Sequence, residues 1–92
     1  MLSAPDNIDE VLRRVRETPR QLAVLSFFAA KIVARDELGY FEICNRLLGQ
    51  AMLAGVPEND ARKRLYMGFG AAAAKHDQPP AGLVLDRVEV AA

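Results

Sequence analysis

Tyr40-Phe41-Glu42-Ile43-Cys44-Asn45-Arg46-Leu47-Leu48-Gly49-Gln50-Ala51-Met52-Leu53-Ala54-Gly55-Val56-Pro57 is the stretch that decides the fold. Ile43, Cys44, Leu47, Leu48, Ala51 and Met52 recur at helical spacing and collect on one side. Glu42, Asn45, Arg46, Gly49 and Gln50 collect on the other. The run is an amphipathic surface helix, and it ends where it must. Gly55 supplies a left-handed C′ residue, Val56 an apolar C″, and Pro57 cannot continue the helix.

Outward from this stretch the chain reads as more helix. Toward the C-terminus a fourth helix is expected from about Glu58 to Lys75. Its acids Glu58 and Asp60 sit in the positive first turn and Lys75 in the negative last turn. Ala61, Leu65, Gly68, Phe69, Ala72 and Ala73 form its inward stripe. Toward the N-terminus, a turn at Leu38-Gly39 separates the quoted stretch from a second helix, Pro19 to about Asp36. That helix is apolar on nearly every side between Leu22 and Ala30, which places it at the centre of a bundle. Thr18 and Pro19 are its expected N-cap and first residue. Helix one begins at Asn7, an N-cap with Glu10 as capping-box partner, and carries Ile8, Val11, Leu12 and Val15 inward. Pro79-Pro80 ends the pattern. The segment Leu83-Val84-Leu85-Asp86-Arg87-Val88-Glu89-Val90 is β-rich and partly alternating. The fold class is therefore all-α, a small bundle of about four helices over residues 1–78, with 79–92 an extended or disordered tail or linker.

Composition agrees and narrows the function. The 92 residues are 51% hydrophobic but only 7% aromatic, and a balance toward Ala and Leu favours helix over strand. One cysteine excludes an internal disulfide framework, and one histidine, two serines and one threonine leave little for a catalytic triad. No catalytic, metal-binding or cofactor-binding residues are assigned. No run reaches the ~18–20 apolar residues that cross a bilayer, and no secretory signal is read, so no membrane partner is expected and the cytoplasm is the expected compartment.

Twelve basic residues cancel twelve acidic ones, which argues against indiscriminate polycation binding. The balance hides a division. Residues 11–75 hold eleven cations against six anions, while the other six acids lie in the termini. The basic residues cluster as Arg13-Arg14-Arg16 with Arg20, and as Arg62-Lys63-Arg64. Solvated faces and dipole-matched ends account for the first cluster. The second sits early in a helix, where cations are disfavoured, and is the better phosphate-contacting candidate. No aromatic interleaving accompanies either cluster in the sequence. Cys44 reads as a small core hydrophobe, His76 with Asp77 as a helix-end partner of the dipole, and Met52 and Met67 as gap fillers. Gly68-Phe69-Gly70 lacks the context of a phosphate loop and marks a close helix approach.

At helices three and four the series Glu37-Leu38, Ile43, Leu47-Leu48, Ala54-Gly55, Ala61-Arg62, Leu65 and Gly68-Phe69 resembles a known family. This is the small helical domain C-terminal to the catalytic domain of phage and plasmid DNA primases. In that family it follows a bifunctional primase/polymerase domain and often precedes a helicase domain. The resemblance runs from about Val33 to Pro79, and Leu85-Asp86-Arg87-Val88 is similar to the segment leading into the helicase. The chain departs from the family at Thr18-Pro19-Arg20-Gln21, where an Asn-rich start is usual. The resemblance implies a non-catalytic accessory module that engages template or primer, or docks a primase catalytic or helicase domain. Arg62 is the one basic residue it carries over by position. Lys63, Arg64, Arg13, Arg14, Arg16 and Arg20 join the candidate DNA-contacting set on electrostatic grounds. DNA, single-stranded or primer-template, is the expected partner. The alternative is a helical protein-interaction or oligomerisation module with no nucleic-acid role, which a homo-oligomer would satisfy.

Overall fold

The computed structural model describes residues 3–86. Among these residues five helices follow in order, α1 (Ile8–Glu17), α2 (Leu22–Arg35), α3 (Tyr40–Leu53), α4 (Glu58–Ala73) and α5 (Ala81–Val84), with a 3-10 turn, Pro19–Gln21, between the first two. The all-α bundle is as the sequence indicates, and no strand occurs among the described residues.

α1 starts where its cap chemistry dictates. The Asn7 side chain accepts from the Glu10 backbone N–H at 2.9 Å. The Glu10 carboxylate reaches back one residue further than expected, to the Asp6 N–H at 2.8 Å. Replacing Asn7 with alanine removes the side-chain acceptor and should cost about 1 kcal/mol in urea denaturation. Arg14 and Arg35 complete this end of the molecule. Arg14 donates to the Ser3 carbonyl and pairs with Glu10 at 2.7 Å, and Arg35 donates to the Asp6 carbonyl at 2.8 Å.

α2 is the centre, as its all-round apolarity requires. Leu22, Val24, Leu25, Phe27 and Ala29 are fully buried or nearly so. Its one buried polar side chain, Ser26, is satisfied by donating to the Leu22 carbonyl at 2.7 Å. The expected start at Pro19 is corrected. Pro19–Gln21 wind as a 3-10 turn, the Thr18 side chain caps nothing, and the α-helix begins at Leu22. Glu37, at φ 54°, makes the turn out of α2, while Gly39 caps α3 in extended conformation.

The α3–α4 connection closes as the sequence indicates. Gly55 has φ 99°, its N–H bonds the Met52 carbonyl, the Val56 N–H bonds the Ala51 carbonyl, both at 3.0 Å, and Val56 is buried. Met52, expected inward, is 44% exposed. It lies past the edge of the stripe formed by Ile43, Leu47 and Ala51. Ala73 is likewise exposed, and α4 ends there, so that Lys75 lies beyond the helix with φ 63°.

α4 packs on α2 in the most extensive helix contact of the molecule, and Gly68 makes that contact possible. A Cβ at Gly68 would stand 2.3 Å from the Ala23 carbonyl oxygen and 2.7 Å from the Phe27 nitrogen. α1 packs on α2 and α3 and shares no extensive contact with α4.

The C-terminal segment differs from its extended expectation. Ala81–Val84 form a helical turn, and Leu83 is buried with Ala23, Val24 and Phe27 of α2. Hydrophobic anchoring decides the matter, since β propensity has no partner strand to act on among the described residues. The remainder of the β-rich reading, 87–90, lies outside the described residues.

Candidate nucleic-acid interface

The structure divides the sequence-selected cations into those that hold the fold together and those that face outward. Arg64 belongs to the first group. It turns toward α5, where its Nε pairs with Asp86 at 2.7 Å, the two side chains 13% and 18% exposed. The pair seals the C-terminal segment against α4 beside Met67, whose sulfur Arg64 also approaches. Arg14 is committed to Glu10 and the Ser3 carbonyl. Arg13 is exposed but bracketed on α1 by Glu17 at 3.2 Å and Glu10 at 3.9 Å.

The outward group is Arg16, Arg20, Arg62 and Lys63, all exposed. Among the described residues Arg16, Arg20 and Lys63 have no carboxylate within ion-pair distance. Arg62 pairs with Glu58 one turn back, at 3.0 Å. Glu58 first, and the Tyr66 hydroxyl second, hold its guanidinium above the ordinary arginine pKa. Such an exposed pair is worth little to stability and leaves the guanidinium able to exchange Glu58 for a phosphate. Because α1 and α4 share no extensive contact, these cations fall in two patches rather than one. Arg16 and Arg20 mark the α1–α2 corner, and Arg62 and Lys63 the outer face of α4.

Beside the second patch lies a cleft of about 440 Å³ between α2 and α4, which the first residue of α3 also lines. Ala30 and Ala34 line it from α2, Tyr66, Phe69 and Gly70 from α4, and Tyr40 from α3. The Tyr40 ring lies 5.2 Å from Phe69 and 5.4 Å edge-on from Phe41. Tyr66 is 63% exposed and Phe41 79%. These aromatics are not among the site residues selected from the sequence. The signal was present in part, since Tyr66 follows Arg62 by four residues and Lys63 by three, which puts all three on one helix face. Tyr40 could not be found that way, being brought in by the α3–α4 packing, and Phe41 stands beside it.

Cys44 is partly buried beside Tyr40, and burial raises its thiol pKa above the ordinary value, as fits a packing role. The Tyr40 hydroxyl is raised too, first by desolvation and then by Cys44. His76 and Asp77 are exposed beyond the end of α4. No group of three or more metal-ligating side chains occurs among the described residues. No helix among them is long and apolar enough to cross a membrane.

Comparison with protein-family models, with curated proteins and with solved structures gives no match to this chain.

Proposed function

We propose that the chain is a non-catalytic accessory module of a replication primase, acting in the cytoplasm, that contacts the phosphates of template or primer DNA. The observation that carries this reading is the division among the cations. Arg14, Arg35 and Arg64 are spent on the fold, whereas Arg16, Arg20 and Lys63 face outward with no carboxylate partner among the described residues. Exposed cations with no part in folding are what a phosphate-binding surface requires. The primase setting is supported by the resemblance of the α3–α4 hairpin. That same hairpin presents Arg62 and Lys63 on its outer face. Contacts of this kind give affinity and orientation without reading sequence. Arg64 and Arg14 leave the DNA-contacting set in this reading and act as clamps of the C- and N-terminal segments.

A second reading, a protein-docking module, draws on the exposed Tyr40, Phe41, Tyr66 and Met52. Aromatic residues and methionine are enriched in protein interfaces. One titration separates the two. Binding to a labelled single-stranded oligonucleotide should weaken linearly in log–log salt. Exchanging both Arg62 and Lys63 for glutamate should flatten the slope by about 1.4, at roughly 0.7 per phosphate contact on a single strand. Absence of binding at low salt, with a salt-independent self-associated species in light scattering, favours docking.

A further inference from the structure

We infer that the cleft between α2 and α4 is a base-stacking subsite that selects single-stranded over duplex nucleic acid. The inference rests on the phosphate-contacting reading and adds to it what that reading lacks, a means of telling one form of DNA from another.

Large aromatic side chains ordinarily go inside. Here Tyr40 is 46% exposed and Tyr66 63%, and both line one cleft, with Phe41, 79% exposed, edge-on to Tyr40 beside it. They come from two helices that meet at Phe69, against which the Tyr40 ring leans at 5.2 Å. The walls leave room beside the rings. Ala30 and Ala34 contribute only methyl groups, and a Cβ placed on Gly70 would meet nothing within 4 Å. At about 440 Å³ the cleft falls within the roughly 300–1,000 Å³ range of small-ligand sites.

Charge decides what fits. Lys63 and Arg62 precede Tyr66 by three and four residues and share its face, so a cation stands beside the exposed ring. A planar aromatic group joined to an anion is the chemistry of a nucleotide. Bases stack on such platforms irrespective of their identity, with the backbone following the cations. In a duplex the base faces are covered by their neighbours, and only an unpaired strand can present them. An apolar partner helix laid over the same face would cover Lys63 without supplying a counter-charge.

The chain itself provides the reporter. It holds two tyrosines and no tryptophan, and both tyrosines line this cleft, so intrinsic emission reports the site. The experiment titrates the intact chain with oligothymidylate, with a duplex of equal length, and with an abasic strand of equal length and charge. Tyrosine emission and affinity are followed together. Oligothymidylate should quench the tyrosines and bind about tenfold more tightly than the abasic strand, the effect of roughly one stacked base. Tyr66→Ala should remove that advantage. Gly70→Leu, which obstructs the cleft from an open helix position, should do the same while circular dichroism shows the helices retained. In both variants the salt slope should stay unchanged. Equal, unquenched binding of oligothymidylate and abasic strand overturns the stacking site while leaving the phosphate contacts standing, and assigns the cleft to another occupant. Preference for the duplex also overturns it. Failure of every strand to bind at low salt overturns the phosphate-contacting reading itself.

Discussion

Gly68→Ala destabilises the bundle by about 3 kcal/mol, at the upper end of overpacking effects, and lowers the urea midpoint accordingly. The added methyl would stand 2.3 Å from the Ala23 carbonyl oxygen, 2.6 Å from Ser26 Cβ and 2.7 Å from the Phe27 nitrogen. Two of these atoms are backbone, so no side-chain rotation relieves the overlap. α4 must withdraw from α2, and the loss extends along the largest helix interface in the molecule. Alanine's better helix propensity returns only about 1 kcal/mol. Gly70→Ala is the matched comparison. It lies two residues further along the same helix, where a Cβ meets nothing, and should raise stability by up to about 1 kcal/mol. Opposite signs at Gly68 and Gly70 test the close approach independently of the general effect of removing a helical glycine.

Phe27→Ala costs about 3–5 kcal/mol, the usual range for emptying a buried phenylalanine site. Phe27 is fully buried on the central helix, with Ala23, Val24 and Leu83 packed in the same cluster. Its ring also meets Phe28 edge-on at 5.6 Å and carries the Lys31 ammonium at 5.1 Å. Truncation therefore leaves a cavity and removes the floor beneath α5. Hydrogen exchange should show the amides of 83–85 losing protection beyond what the global loss of stability explains. In a chain of 92 residues, where the margin of stability is small, this change leaves little of the native population at moderate urea.

The sequence carried the fold because the strongest signals in it are local. Gly55-Val56-Pro57 names a left-handed helix stop, the Leu22–Ala30 run names a helix covered on all sides, and Gly68 on an inward stripe names a close approach. Each depends on a few adjacent residues, and each is found in the structure. The tail was misread because β propensity at 83–85 expresses itself only where a strand can pair. Leu83 instead found an apolar seat on α2. Met52 was misplaced by a stripe drawn one position too wide.

The candidate site was less legible for a related reason. Arg62, Lys63 and Arg64 are consecutive, but a helix rotates each by about 100° from the last, so Arg64 lies about 200° from Arg62 and the three do not form one patch. Arg64 consequently faces Asp86 and the C-terminal turn, while Arg62 and Lys63 share a face with Tyr66. Local acids also matter. Glu10, Glu17 and Glu58 each take up an arginine of their own helix, so the basic surplus of residues 11–75 overstates what a phosphate would meet. The role of Tyr40 depends on tertiary packing and has no sequence period to announce it.

The measurement that bears most directly on the proposed function is an amide chemical-shift titration of the intact chain with oligothymidylate at low salt. The largest changes should fall at Arg62, Lys63, Tyr66 and Gly70 of α4 and at Tyr40 and Phe41 of α3. Lesser changes are expected at Arg16 and Arg20, with Leu83 and Asp86 unmoved. Shifts absent at saturating strand, or concentrated on α5 with the outer face of α4 silent, would contradict it.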